Sequence, residues 1–93
     1  MKWKVTLTIK SNASSPLSQQ ARHELLQTVH AVRVERRAFH GELEVFVESR
    51  NPTDAALVAT KYVQEALDVV DGASHWTVES IGRTERVYPA ARS

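Results

Sequence analysis

The sequence predicts one α+β domain with the element order βαββαβ. Three observations lead to this prediction. Residues 3–9 alternate apolar and polar side chains, as a half-buried strand does. Two segments with helical spacing of apolar residues each follow a cap residue and a proline, Ser15-Pro16 and Asn51-Pro52. Three further apolar segments, over 32–38, 43–47 and 75–88, fit strands.

The first half of the sequence predicts a strand followed by a helix. One face of the strand carries Trp3, Val5, Leu7 and Ile9. With Ser15 as N-cap and Pro16 as first helical residue, a helix is predicted from residue 16 to about residue 31. Its apolar stripe is formed by Leu17, Ala21, Leu25, Val29 and Val32.

The second half predicts a hairpin, a helix and a last strand. Gly41 suits the turn of the hairpin, and Asn51 caps a helix that begins at Pro52 and is closed by Gly72. A slip in alternation at Ser80-Ile81 predicts a bulge in the last strand. The inward side chains of the hairpin strands are Val32, Val34, Ala38, Leu43, Val45 and Val47, and those of the helix are Ala56, Ala59, Val63, Ala66, Leu67 and Val70.

Right-handed crossovers favour a four-stranded antiparallel sheet in the order 4-1-3-2, with both helices on one face. This is the ferredoxin-like sandwich, predicted over residues 1–88, with residues 89–93 as a short polar tail. Many unrelated functions share that arrangement, so it assigns none by itself.

Composition narrows the classes of function. The 93 residues include no cysteine and carry a net charge of +1. A disulfide framework and a thiolate metal site are thereby excluded, and nucleic-acid binding is disfavoured. No apolar run approaches the roughly 18 residues that span a membrane. The alternating N-terminus is unlike a secretory signal, so a cytoplasmic protein is expected.

The segment His40–Val47 resembles the RNA-reading strand of RNA-recognition motifs, where Gly41 matches. In that motif aromatic side chains on the central strands stack on bases. Here Glu42 and Glu44 occupy the outward positions, and Thr6 lies outward on the neighbouring strand. Carboxylates repel phosphodiesters, so RNA binding by this face is not expected. Opposite charges face each other across the predicted strand boundaries, which predicts either a charged, self-neutralised surface or a polar docking surface for a partner or a second copy.

The histidines do not predict a metal site. His23 and His30 lie about two helical turns apart, and His40 and His75 belong to strands far apart in the predicted sheet. No metal or cofactor is therefore expected. His75 and, more weakly, His23 are the candidates for a single acid or base.

A small anionic ligand has two candidate positions. Ser14 and Ser15 precede the first helix, in the loop that binds small ligands in the similar ACT-type regulatory domains, although this loop lacks a glycine. Arg36 has the parity of a core residue on an edge strand and is a candidate anchor for an anion.

The last strand candidate is the longest, and its second half, IGRTERVY, has no predicted partner of equal length. An unpaired strand edge favours association. We therefore expect a homodimer formed through Ile81, Arg83, Val87 and Tyr88.

These patterns predict a small non-enzymatic module that binds another protein, a second copy or a small ligand. The alternative is a cofactor-free enzyme that resembles small monooxygenases and isomerases, with His75 or His23 beside a cavity between helices and sheet. Nucleic-acid binding through Arg33, Arg37, Arg83 and Arg86 is a third reading that the low net charge disfavours.

Overall fold

The computed structural model describes residues 1–13, 17–34, 39–70 and 72–88, with only the backbone described at Val34. The predicted tail, 89–93, lies outside these residues. The elements are β1 (Lys2–Ser11), α1 (Gln19–Leu25), β2 (Ala31–Val34), β3 (His40–Glu48), α2 (Pro52–Val69) and β4 (Trp76–Val87).

The four strands form one antiparallel sheet in the order β2-β3-β1-β4, which reads β4-β1-β3-β2 from the other edge. The predicted α+β class, with a four-stranded antiparallel sheet and two helices, is confirmed. β1 lies in the middle of the sheet: Leu7 pairs with Leu43 of β3 and with Ile81 of β4.

The core lies between the helices and one face of the sheet. Alternate residues of β1 and β3 are buried there, as their apolar alternation predicts. Each fully buried Leu or Val contributes about 1.5–3 kcal/mol relative to an exposed one. The cluster includes Trp3, Val5, Leu7 and Ile9 of β1, Leu43, Val45 and Val47 of β3, Ala21 and Leu25 of α1, and Ala55, Ala59, Val63 and Leu67 of α2.

The first helix is much shorter than the sequence predicts. It has seven residues, and its N-cap is Ser18, whose Oγ accepts from the backbone N–H of Ala21 at 3.1 Å. The predicted cap pair Ser15-Pro16 lies outside the described residues. After Leu25 the chain continues in turns as far as Val29, whose N–H donates to the carbonyl of Leu25 at 2.8 Å. It then joins the sheet: the N–H of His30 donates to the carbonyl of Glu44 at 2.8 Å, and β2 begins at the next residue.

The second helix begins where predicted. The Asn51 Oδ1 accepts from the backbone N–H of Asp54 at 2.8 Å, and Pro52 opens the helix. The buried stripe differs slightly from the prediction, since Ala55 is buried whereas Ala56, Ala66 and Val70 are half-buried. Gly72, with φ +83°, lies two residues beyond the C-cap Val70, in the turn to β4, so it does not close the helix itself.

The last strand pairs with β1 along its whole length apart from two bulge residues, so the prediction that its second half lacks a partner is wrong. β1 pairs with β4 from Ser11↔Trp76 to Lys2↔Val87. The register shifts twice, which leaves Glu79 and Gly82 without partners on β1. These two bulges lengthen β4 relative to β1 and explain why counting residues along β4 missed the match.

Candidate functional site

The face of the sheet opposite the helices carries polar and charged side chains in rows across the strands. One row runs from Arg33 of β2 through Glu42 and Thr8 to Ser80 of β4. The next row contains Glu44, Thr6 and Arg83, and the third contains Phe46, Lys4 and Glu85. The sequence places Thr6, Glu42 and Glu44 on this open face, and the structure confirms it.

A groove of about 360 Å³ crosses the middle of this face. Its bottom is formed by the central strand, with β3 on one side and β4 on the other. Every strand of the sheet contributes to it. The lining residues are Lys4, Thr6, Arg33, Glu42, Glu44, Gly82, Arg83 and Glu85.

Gly82 gives the groove room on the β4 side. As a bulge residue without a side chain, it lies close to the backbone of β1, and a Cβ atom built on it would be 3.2 Å from the carbonyl oxygen of Thr6. Bulges occur often beside functional sites, where they redirect neighbouring side chains. Here the bulge at Gly82 precedes Arg83, which lines the groove.

The β4 side of the groove carries an ion-paired cluster. The carboxylate of Glu85 accepts from the guanidinium of Arg83 at 3.1 Å and lies 3.8 Å from the Nζ of Lys4. Two cations thus share one carboxylate. These side chains are 31–75% exposed, so water screens their interactions and each pair contributes little to stability.

The β3 side of the groove carries mainly acidic side chains, and they are not ion-paired among the described residues. Glu42 and Glu44 lie two residues apart on the same face, with Arg33 opposite Glu42 on β2. Within the part of the chain that the structure describes, neither carboxylate makes a hydrogen bond or an ion pair, and the Arg33 guanidinium makes none either. The predicted self-neutralisation is therefore incomplete here, because the ionic contacts of the described residues involve other carboxylates.

Both ends of the open face are occupied by contacts within the chain. Beyond one end of the groove, the ring of Phe46 lies 4.7 Å from that of His30, and the Nζ of Lys2 lies 4.7 Å from the Phe46 ring centroid. Towards the other end, the Nε2 of His40 lies 3.7 Å from the carboxylate of Glu79 across β1. The free charged groups of Glu42, Glu44 and Arg33 therefore concentrate in the middle.

A second, apolar depression of about 250 Å³ lies beside α2. It lies between the second half of α2 and the turn that follows α1. Tyr62 crosses the gap, and its hydroxyl donates to the carbonyl of Thr28 at 3.4 Å. The lining residues are Thr28, Tyr62, Glu65, Ala66, Val69 and Val70.

The histidine candidates lie away from the groove. His23 is exposed on α1, and His75 is half-buried in the turn before β4. In the described part of the chain, the Nε2 of His75 and the indole Nε1 of the buried Trp76 have no hydrogen-bond partner. An unpaired buried donor costs roughly 1–3 kcal/mol, so this turn is the least satisfied polar part of the core.

The predicted anion-binding residues Ser14, Ser15 and Arg36 lie outside the described residues. The four predicted interface residues do not share one surface. Ile81 pairs with Leu7 on the helix side of the sheet and is 43% exposed, whereas Arg83 lines the groove on the other side. Val87 ends β4, and the Tyr88 ring lies 4.8 Å from the guanidinium of Arg86.

Two negative results apply to the described ranges only. Among residues 1–13, 17–34, 39–70 and 72–88, no three His, Asp or Glu side chains are grouped closely enough to hold a metal ion. In those same ranges, neither helix has both the length and the apolar character required to cross a membrane.

The sequence did not predict that Gly82 and Glu85 line the groove, nor that Arg83 pairs with Glu85 there. A glycine inside a strand often marks a bulge or a close approach of two backbones. Gly82 gives this signal in the sequence, but the slip in alternation predicts the bulge at Ser80-Ile81 instead. Without the correct bulge positions, the register could not place Arg83 opposite Thr6.

Comparison with protein-family models, with curated proteins and with solved structures found no match.

Proposed function

We propose that this protein is a small non-enzymatic binding module of the ferredoxin-like class, and that the groove on the open sheet face is its binding site. The strand order and the placement of both helices over one face support the ferredoxin-like classification. The helices leave the open face of the sheet uncovered, and a ligand can bind there.

One observation carries the proposal: the groove holds charged groups that have no partner in the described chain. Glu42, Glu44 and Arg33 point their charges into a depression of about 360 Å³. That volume lies within the range of small-ligand sites, about 300–1,000 Å³. A surface that only needed to be soluble would gain by pairing these charges across neighbouring strands.

The shape of the groove favours binding over chemistry. It is open to solvent, whereas catalytic sites gain much of their electrostatic effect by excluding water. The cofactor-free enzyme remains the alternative, and it requires a cavity on the other side of the sheet. There the β1 and β3 side chains are 0–8% exposed and packed against both helices. The unpaired Nε2 of His75 is the observation that favours this alternative.

Amide chemical-shift mapping on the ¹⁵N-labelled protein tests the proposal. The probes are glutarate, putrescine and triglycine, which carry two negative charges, two positive charges and one of each. We expect at least one probe to shift the amides of Thr6, Glu44 and Arg83. Glu44→Gln should weaken this response, whereas Glu48→Gln, on the same strand outside the groove, should leave it unchanged.

The proposal is overturned if none of the three probes shifts these amides. It is equally overturned if the shifts cluster around His75 and Trp76 instead, which would favour the enzyme alternative.

We also propose that two copies associate through the outer edge of β4. The position of β4 at the edge of the sheet supports this dimer. One edge of β4 is paired with β1, and the other is open to a second strand. Ile81 supplies an exposed apolar side chain near the middle of that edge. Light scattering on a sizing column should give twice the mass of one chain, and Ile81→Lys should reduce it. A monomer up to millimolar concentration would exclude the dimer.

A further inference from the structure

We infer that the groove takes a zwitterionic ligand, with its ammonium group against β3 and its carboxylate against β4, as at the two ends of a di- or tripeptide. The inference rests on the proposed function, because it names the class of ligand for the same groove.

The distribution of charge supports this class. On the β3 side, Glu42 and Glu44 outnumber the single cation Arg33. On the other side, Lys4 and Arg83 share the single carboxylate of Glu85. The side formed by β2 and β3 therefore has a net negative formal charge. On the other side Arg83 and Glu85 of β4 cancel, and the net positive charge comes from Lys4 of β1, whose Nζ lies 3.8 Å from the Glu85 carboxylate.

The spacing sets the length of the ligand. Glu44 and Arg83 both pair with Thr6, from opposite sides of β1. Two strand spacings separate their backbones by about 10 Å. Side chains stand nearly perpendicular to a sheet, so extended side chains of Glu44 and Arg83 keep their charged groups at about the same separation as their backbones. An extended peptide covers about 3.3–3.6 Å per residue, and two or three residues therefore bridge the walls.

The bottom of the groove suits the middle of such a ligand. Thr6 lies between the two walls, and its hydroxyl makes no hydrogen bond within the described residues. It can donate to a carbonyl or accept from an amide N–H of the bound molecule. Beside it, the missing side chain at Gly82 leaves space over the backbone of β1.

The same charges disfavour the other classes of small ion. A dicarboxylate would bring one of its charges against Glu42 and Glu44, and a diamine would bring one against Lys4 and Arg83. Selectivity of this kind depends on repulsion as much as on attraction. Neutral molecules of the same length would leave the carboxylates of Glu42 and Glu44 without a partner.

The test compares triglycine with two capped forms, N-acetyltriglycine and triglycine amide, by ¹⁵N amide shift titration. Each capped form lacks one terminal charge. Because the groove is solvent-exposed, we expect triglycine to bind about fivefold more tightly than either capped form, the upper range for one exposed ion pair.

Two variants assign the ends of the ligand. Glu44→Gln should remove the preference for triglycine over its N-acetyl form and keep the preference over the amide. Arg83→Gln should do the reverse. Glu48→Gln should change neither preference. If Glu44 and Arg83 had only a structural role, each variant would alter both preferences alike.

The inference is overturned if the capped peptides bind as tightly as triglycine, or if each variant alters both preferences equally. Preference for glutarate or putrescine within the groove would also overturn it, while leaving the groove as the binding site. Failure of every probe to shift the amides of Thr6, Glu44 and Arg83 would overturn both the inference and the proposed function.

Discussion

The carbonyl oxygen of Thr6 lies 3.2 Å from the point where a side chain on Gly82 would begin. Such a contact is tighter than about nine in ten Cβ contacts in proteins, and the obstacle is the backbone of β1. The absence of a side chain at this one position therefore lets β4 approach β1 at the bulge and opens one side of the groove.

Gly82→Ala should lower the free energy of unfolding by about 1–3 kcal/mol, because the added methyl group must displace the backbone of β1 or β4. Thermal and urea unfolding measure the change. Ser80→Ala, two residues away on the open face, serves as control and should change stability by less than about 1 kcal/mol. A Gly82→Ala variant as stable as the parent would show that the bulge relaxes freely.

The two faces of β1 should respond differently to truncation. Leu7 is fully buried, and Leu7→Ala should cost about 2–5 kcal/mol through lost burial and a cavity. Its neighbour Thr8 lies on the open face, and Thr8→Ala should cost less than about 1 kcal/mol. Urea unfolding gives both values, and Ile9→Val, at about 0.5–1.5 kcal/mol, gives a milder core variant. Equal costs on the two faces would contradict the assigned core.

The cap of α2 should be worth about 1 kcal/mol. Asn51→Ala removes the acceptor for the Asp54 N–H and should destabilise the protein by about 0.5–2 kcal/mol. Asn51→Asp keeps an acceptor and should be close to neutral. The two variants are compared by urea midpoint, and indistinguishable midpoints would show that water replaces the side chain without cost.

The ionic cluster around Glu85 should matter little for stability. Glu85→Gln leaves Lys4 and Arg83 without their shared carboxylate, and we expect a loss below about 1 kcal/mol. The loss should shrink between about 0.01 M and about 1 M NaCl, since the screening length falls from roughly 30 Å to roughly 3 Å. Unfolding at both salt concentrations measures it. A salt-independent loss would indicate a packing role for the Glu85 side chain.

Local signals predicted the second helix well and the first one poorly. The Asn51-Pro52 pair defines the start of α2 through contacts within four residues, and such contacts are visible in a sequence. After α1, the N–H of His30 donates to the carbonyl of Glu44 in β3, and a contact between residues so far apart in the chain is not visible in a sequence. Helical spacing continues through Val29, which is buried in a turn instead, so periodicity alone overestimated the helix.

The candidate site could be predicted only in part, for a related reason. Alternation along β1 and β3 placed Thr6 and Glu44 on the open face, because that pattern is strictly local. Arg83 joins them only after two bulges have shifted β4 against β1. Which charged groups find partners is decided by that register, and the sequence alone did not provide it.

The central position of β1 has a consequence for how the chain folds. This strand is synthesised before both of its partners, which are residues 40–48 and residues 76–87. Both pairings close long loops before any contact repays the lost chain entropy, which slows folding. A nascent chain that has not reached β4 leaves one edge of its middle strand open. That edge stays available for pairing with another chain until β4 is added and closes it.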